Sequence, residues 1–270
     1  MALTKVGKEG VVGLDNSADA TAINITSGEN VGIGVVPETT WNSNIDALQL
    51  GLGASIYGDN TATGLQISAN AVATLGSSLN GYKYIGSDKA STYQQYDGEH
   101  NFRVASSGSA DGAITWSTAM TINNTGAITK PLQPAFQARP ASEQSNIPIN
   151  ADTTVLFGTE IFDIGSNFAS NTFTAPVTGK YQLSSMVYLL NGDIDTNYFS
   201  VILQTSNRPY SNVITTQSYD ADLSYTSIAQ SVLADMDAND TAYVYVNLPN
   251  SGAAQADIHT NSYFSGYLVC

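Results

Sequence analysis

Phe173-Thr174-Ala175-Pro176-Val177-Thr178-Gly179-Lys180-Tyr181 is the stretch on which the fold turns. Two aromatic rings bracket a short turn in which Pro176 holds φ at roughly −65° and Gly179 permits φ > 0. The turn ends one strand and launches another. Tyr181 to Leu190 is apolar on both faces toward its end, the pattern of a central strand in a two-sheet sandwich.

Alternation continues outward from that strand. Tyr243 and Tyr245 oppose Val244 and Val246; Phe199, Val201 and Leu203 oppose Ser200, Ile202 and Gln204. Tyr263, Ser265, Tyr267 and Val269 oppose Phe264, Gly266 and Leu268, where Gly266 between aromatics admits a close neighbour. Asn191-Gly192, Asn207-Arg208-Pro209 and Pro249-Asn250-Ser251-Gly252 mark turns. The pattern predicts strands over 181–190, 198–204, 213–218, 228–234, 242–248 and 263–269. Ile228, Val232, Leu233 and Met236 carry the best helix-like spacing, but β-branched neighbours and strand-like flanks oppose a helix. The expected class is all-β, a sandwich or jelly roll.

Composition divides the chain near residue 131. Residues 1–130 hold 17 of the 23 glycines, whereas 17 of the 25 aromatics follow. Pro131, Pro134 and Pro140 between the halves read as a linker running into an edge strand. The first half has weaker strands, around Asn30–Val35 and Ala119–Thr129, that look too short and glycine-rich to bury a core alone. Three chains sharing one thin core would make such a stem stable. Residues 41–118 carry Trp41, Tyr57, Tyr82, Tyr84, Tyr93, Tyr96, Phe102 and Trp116, enough for a small β module within it.

Charge excludes several function classes. A net charge of −14 with nine Lys and Arg leaves no basic face for nucleic acid or anionic membrane. Charged residues make up 12% of the chain, against about 25% in ordinary soluble domains. Contact between copies is one way to cover so sparsely charged a surface. Met1 to Lys8 has no apolar run of a secretory signal, no stretch is apolar enough to insert in a membrane, and the sole cysteine is Cys270. The expectation is folding in a cytoplasm without an intrachain disulfide.

Residues from about 134 onward resemble the C1q-type globular domain. Ala135-Phe136-Gln137-Ala138 resembles its opening strand, followed by Val155-Leu156-Phe157, Phe162-Asp163-Ile164-Gly165 and Phe168. Phe173 to Tyr181 matches the pattern F-x-A-P-x-x-G-x-Y, and Phe264-Ser265-Gly266-Tyr267-Leu268 resembles the closing strand F-S-G-F-L. No Gly-X-Y run precedes it, a departure from vertebrate members. The resemblance implies a trimeric jelly-roll knob. Residues 1–130 resemble phage fibre segments: Gly28-Glu29-Asn30-Val31-Gly32-Ile33-Gly34-Val35-Val36-Pro37 is similar to their N-V-G-I-G-x-x-x-P signature, and Ala119 to Gly126 to its usual partner. Together these imply a homotrimeric bacteriophage fibre with three segments. Residues 1–28 would anchor to other virion proteins through Leu3, Val6, Val11, Val12 and Leu14; 29–130 would form the shaft, and 131–270 the knob. Its place would be the virion, after synthesis in the bacterial host cytoplasm.

Chemistry is sparse. His100 and His259 fall in different halves, no nucleophile elbow or phosphate loop appears, and no enzyme is expected. In an antiparallel jelly roll alternate loops share an end, so loops 191–197, 219–227 and 249–262 should emerge together at the tip. That gathers Asp193, Asp195, Asn197, Tyr219, Asp220, Asp222, Tyr225, Asn250, Asp257 and His259 as candidate receptor-binding residues. Tyrosine beside Asp and Asn suits recognition of a host surface glycan or protein, and three copies on one axis raise weak binding by roughly 10²–10⁴-fold. Asp193, Asp195, Asp220 and Asp222 form either a calcium site or a solvated acidic rim, since Asp is a common turn former; no other cofactor is expected. The alternative functions are a capsid head-fibre or decoration protein and, third, a polysaccharide depolymerase, which would need a cleft and a raised carboxyl pKa.

Overall fold

The computed structural model describes residues 23–74, 81–249 and 255–270, and among these no helix occurs. The chain divides into two compact units, Met1–Pro131 and Leu132–Cys270. The anchoring candidates Leu3, Val6, Val11, Val12 and Leu14 lie outside the described residues, as does Asn250.

In the first unit the strands are β1 (Ile23–Ile25), β2 (Val31–Ile33), β3 (Ile45–Leu50), β4 (Ala54–Asp59), β5 (Ala62–Ala69), β6 (Val72–Ala73), β7 (Tyr82–Lys83), β8 (Ala90–Tyr96), β9 (Glu99–Ala105), β10 (Ser117–Ile122) and β11 (Ile128–Thr129). Nine form one sheet in the order β1-β2-β3-β4-β5-β8-β9-β10-β11, antiparallel except where β2 runs parallel to β3, and β6 pairs only with β7. The hairpin β1-β2 straddles the expected boundary at 28/29, so residues 23–25 belong to the sheet.

The N-V-G-I-G-x-x-x-P residues have local reasons. Asn30 is buried and its Oδ1 accepts the Ala47 N–H at 2.8 Å, tying the loop to β3. A Cβ on Gly32 would lie 2.2 Å from the Val35 carbonyl oxygen and 2.7 Å from Pro37 Cδ, and Gly34 sits at φ +68°. This unit buries a core within one chain, all of it between residues 41 and 114. Trp41, Ile45, Tyr57, Val72, Tyr82, Tyr84 and Ile114 pack together within one chain. The small β module accounts for this core, because its strands reach eight residues in β5.

The second unit contains β12 (Ala135–Arg139), β13 (Thr153–Thr154), β14 (Thr159–Ile164), β15 (Phe168–Ala169), β16 (Thr172–Thr174), β17 (Gly179–Gly192), β18 (Tyr198–Thr205), β19 (Pro209–Thr215), β20 (Leu223–Met236), β21 (Thr241–Asn247), β22 (Asp257–Ile258) and β23 (Tyr263–Leu268). One sheet runs β14-β12-β23-β17-β20 with β22 also on β17; the other runs β15-β16-β21-β18-β19 with β13 on β21. Phe136, Leu183, Val187, Leu189 and Phe264 from the first sheet meet Phe173, Phe199, Val201, Leu203 and Val244 from the second. Each fully buried side chain of this size contributes about 1.5–3 kcal/mol.

Phe173 lies on β16 and Tyr181 on β17, so the stretch between them carries the chain from one sheet to the other. Their rings lie 5.4 Å apart, both buried, and the Tyr181 hydroxyl donates to the Val177 carbonyl at 2.8 Å. Gly179 does not take the positive φ expected of it; its φ is ordinary, and a Cβ there would lie 2.5 Å from the Cys270 carbonyl oxygen. Close approach of the C-terminus is what requires glycine. Three further boundaries differ from the sequence expectation. Asn191-Gly192 extends β17 rather than turning, with Asn191 at φ +50°. The segment Pro209–Thr215 replaces 213–218, with Pro209 opening an edge strand where its missing N–H costs no ladder bond. Lastly, β20 begins at Leu223, five residues early, because it pairs with nearly the whole of β17.

Candidate functional site

The two ends of the second unit are distinct. At one, Leu268 N–H donates to the Pro134 carbonyl at 3.0 Å and Lys180 N–H to the Cys270 carbonyl at 2.7 Å. The unit therefore begins and finishes together. At the other end β17 delivers Asp193, whose N–H donates to the Gln255 carbonyl at 3.1 Å, while Asn197 N–H donates to the Pro249 carbonyl at 3.0 Å. Ile194 N–H reaches Asp222 Oδ1 at 3.1 Å, and the Thr216 hydroxyl donates to the Thr196 carbonyl. The segments 191–197, 216–222 and 255–262 thus gather at one end of the sandwich.

Their side chains do different things. Asp195, Asn197, Tyr219 and Asp220 point to solvent, with Tyr219 46% exposed. Asp193 Oδ1 accepts the Asp195 N–H at 3.0 Å, and Asp222 is exposed but holds Ile194. Among the described residues no three His, Cys, Asp or Glu side chains stand close enough to share a metal ion. The four aspartates named as calcium candidates thus form no group of three: Asp193 caps its own turn, while Asp222 accepts from the neighbouring loop.

Two candidates leave the solvent-facing loop set. Asp257 is buried at 7% exposure, with Oδ1 accepting Asn146 N–H at 2.7 Å and Oδ2 accepting Asn191 Nδ2 at 2.8 Å. It stitches three segments and faces no ligand. Tyr225 lies on β20, not in a loop, 69% exposed on the outward face. Its ring stacks with that of Tyr188 at 6.2 Å, and His259 meets Tyr188 edge-on at 5.3 Å. Sequence reasoning missed Tyr188, although its alternation against buried Val187 and Leu189 already turned it outward.

Ionisable groups perturbed by burial lie outside these segments; in the second unit burial raises Tyr181 and Tyr245. In the first unit burial raises Tyr57 well above its ordinary value, raises Tyr82, and lowers Arg103. The Tyr57 hydroxyl donates to Gln66 Oε1 at 3.2 Å, the Tyr82 hydroxyl reaches the same oxygen at 2.5 Å, and Arg103 Nη1 donates to Gln94 Oε1. With Arg103 8% exposed, this network supports a sheet and offers no reacting centre to solvent.

The family model of the C1q domain matches residues 135–269. Among solved structures, the globular domain of the zebrafish complement 1qA protein is 18% identical over 51% of this chain and 98% of its own, with a TM-score of 0.38. A crystal structure of murine APRIL is 14% identical, covering 51% of this chain and 99% of its own, also at 0.38. No curated protein matches the chain. With the family's pattern running from Ala135 to Val269, half of its length, the chain belongs to the C1q domain family.

Proposed function

We propose that the chain is a homotrimeric structural fibre of a bacteriophage virion, whose C1q domain presents the 191–197, 216–222 and 255–262 end to a host cell surface. The observation that carries the trimer is the outward face of the sheet β12-β23-β17-β20. From Gln182 to Leu190 on β17, Tyr225 to Leu233 on β20 and Tyr263 to Tyr267 on β23, no outward side chain is charged. Yet Tyr225, Leu233 and Tyr267 are more than half exposed and the chain carries a net charge of −14. Interface cores lose charge and gain tyrosine in this way, and C1q/TNF-like domains typically form homotrimers.

Assigning that face to contact between copies divides the candidate residues. Tyr188 and Tyr225 go to the contact, and Asp195, Asn197, Tyr219 and Asp220 remain open to a ligand. Hydroxyl, amide and carboxylate groups beside one exposed ring suit a sugar, held weakly at each site and strengthened threefold about the axis. The likeness of Gly28 to Pro37 and Ala119 to Gly126 to phage fibre segments supports the virion origin. Sedimentation of the full chain tests the trimer: a folded monomer at micromolar concentration overturns it. Adding the full chain to host cells before infection tests adsorption; undiminished particle binding at saturating protein refutes the receptor role.

A further inference from the structure

The nine-stranded sheet of the first unit is inverted. Its covered face carries a polar row in Cα register across five strands, Gln49, Ser55, Ser68, Thr92 and Arg103, all buried. One residue along, the open face carries the row Leu48, Ile56, Ile67, Tyr93, Phe102 and Met120, in register across six strands. Ile67 is 45% and Phe102 37% exposed. Alongside them Leu50 and Val104 are also exposed, at 37% and 44%. A sheet with water on one face turns its apolar side inward; here that side has no cover within the described residues of its own unit.

We infer that this open face is the contact surface between copies of the first unit, resting on the trimeric reading above. Six strands at about 4.8 Å spacing make the row about 24 Å wide. Two rows deep, as far as the Leu50 row, it covers roughly 300 Å², within the range of patches that lone proteins expose. Neither that row nor the next, from Leu50 to Ser117, contains a charged residue. Copies that each carry −14 meet favourably only through such a charge-free face. Joined to C1q domains already held as a trimer, the three faces meet at an effective concentration on the order of millimolar, so weak apolar attraction suffices. Turned toward one axis, they close a core on the side opposite the intrachain one.

The test places p-benzoylphenylalanine at Phe102 in the full chain, and separately at Val104, with Leu52 in the 51–53 turn as the outside control (85% exposed). After irradiation and denaturation, positions 102 and 104 should yield covalent two- and three-chain species, and position 52 none. If adducts form only within one chain, another segment of that chain covers the face and the inference fails. If no adduct forms at 102 or 104 while sedimentation reports a trimer, the face is open to water and the inference alone fails. If sedimentation reports a monomer, the trimeric reading fails with it.

Discussion

Gly266→Ala is the sharpest test of how the C1q sandwich is packed. The added methyl would lie 2.6 Å from Leu183 Cδ2, 2.9 Å from Phe136 Cε1 and 3.2 Å from the Gln182 carbonyl oxygen. Carbon atoms rest at about 3.5–4.0 Å, so two contacts fall short by nearly 1 Å. Neither neighbour has room to retreat. Leu183 is fully buried, and Phe136 is stacked between Phe168 at 5.0 Å and Phe173 at 4.7 Å with Phe264 edge-on at 4.9 Å. Overpacking of this kind costs about 1–3 kcal/mol. Alanine also restricts the unfolded chain, offsetting about 0.4–1 kcal/mol at a position whose φ it tolerates. The net loss is about 1–2 kcal/mol, which at a urea m-value of about 2 kcal/mol/M lowers the midpoint by about 0.5–1 M. Both tryptophans, Trp41 and Trp116, lie in the first unit, so their fluorescence follows that unit separately. Ten of the 15 tyrosines lie in the second, so near-ultraviolet circular dichroism reports chiefly on the sandwich. The dichroism midpoint should fall and the fluorescence midpoint should not. An unchanged dichroism midpoint at equal protein concentration would show that the sandwich relaxes around the methyl, and the packing argument would be wrong.

Asp257→Ala strips the acceptor from Asn146 N–H and Asn191 Nδ2 in a buried site, a loss of about 1–3 kcal/mol seen in the same dichroism midpoint; an unaltered midpoint would make that carboxylate dispensable. Leu233→Glu puts a charge at the end of the uncharged outward run of β20, 59% exposed in one chain, so it should leave the monomer fold intact while sedimentation shifts toward single chains. A trimer of wild-type stability would place the contact elsewhere. For pH, burial holds Tyr57 and Tyr82 protonated above the ordinary value of 10.0. The folded first unit then keeps protons that the unfolded chain releases, so its stability is fully present below pH 10 and falls as pH rises past it. The tryptophan-monitored urea midpoint should decline above pH 10, and less steeply in Tyr57→Phe; equal slopes would remove Tyr57 from the account.

The second unit was legible because its faces differ so strongly. Val244 and Val246 against Tyr243 and Tyr245, or Phe264 against Tyr263 and Ser265, separate into two faces in the sequence, and the structure buries the valines and Phe264. Loop grouping followed from strand alternation alone, since it needs only the number of reversals. Individual site residues were less legible. Tyr225 was placed in a loop because Leu223 to Ser227 has a weak apolar pattern, whereas pairing to the long β17 extends β20 through it. Asp257 reads as a turn carboxylate in sequence, and only the bridge from β22 to β17 puts it indoors. The aspartates named as calcium candidates do not gather in threes among the described residues, because closeness along the chain sets backbone turns, not the convergence of oxygens.

The first unit shows where periodicity runs out. Alternation in Ile45 to Leu50 says that Ile45, Ala47 and Gln49 share one face and Asp46, Leu48 and Leu50 the other, and both sets contain apolar groups. Nothing local decides which faces inward. The decision comes from Trp41, Val72, Tyr82 and Ile114, distant in sequence, which cover the face bearing Tyr57. Having covered it, they also bury Gln66, Ser68 and Gln94, whose hydrogen bonds to Tyr57, Thr92 and Arg103 then become necessary rather than incidental. These bonds hold most of the polar row inside, although Gln49 Nε2 and Arg103 Nε stay buried without a partner. The apolar row on the opposite face has no comparable partner among the described residues of its own unit. In the trimeric fibre proposed above, a sheet built so would give up some stability as a lone molecule and recover it on assembly, coupling the folding of the stem to trimerisation.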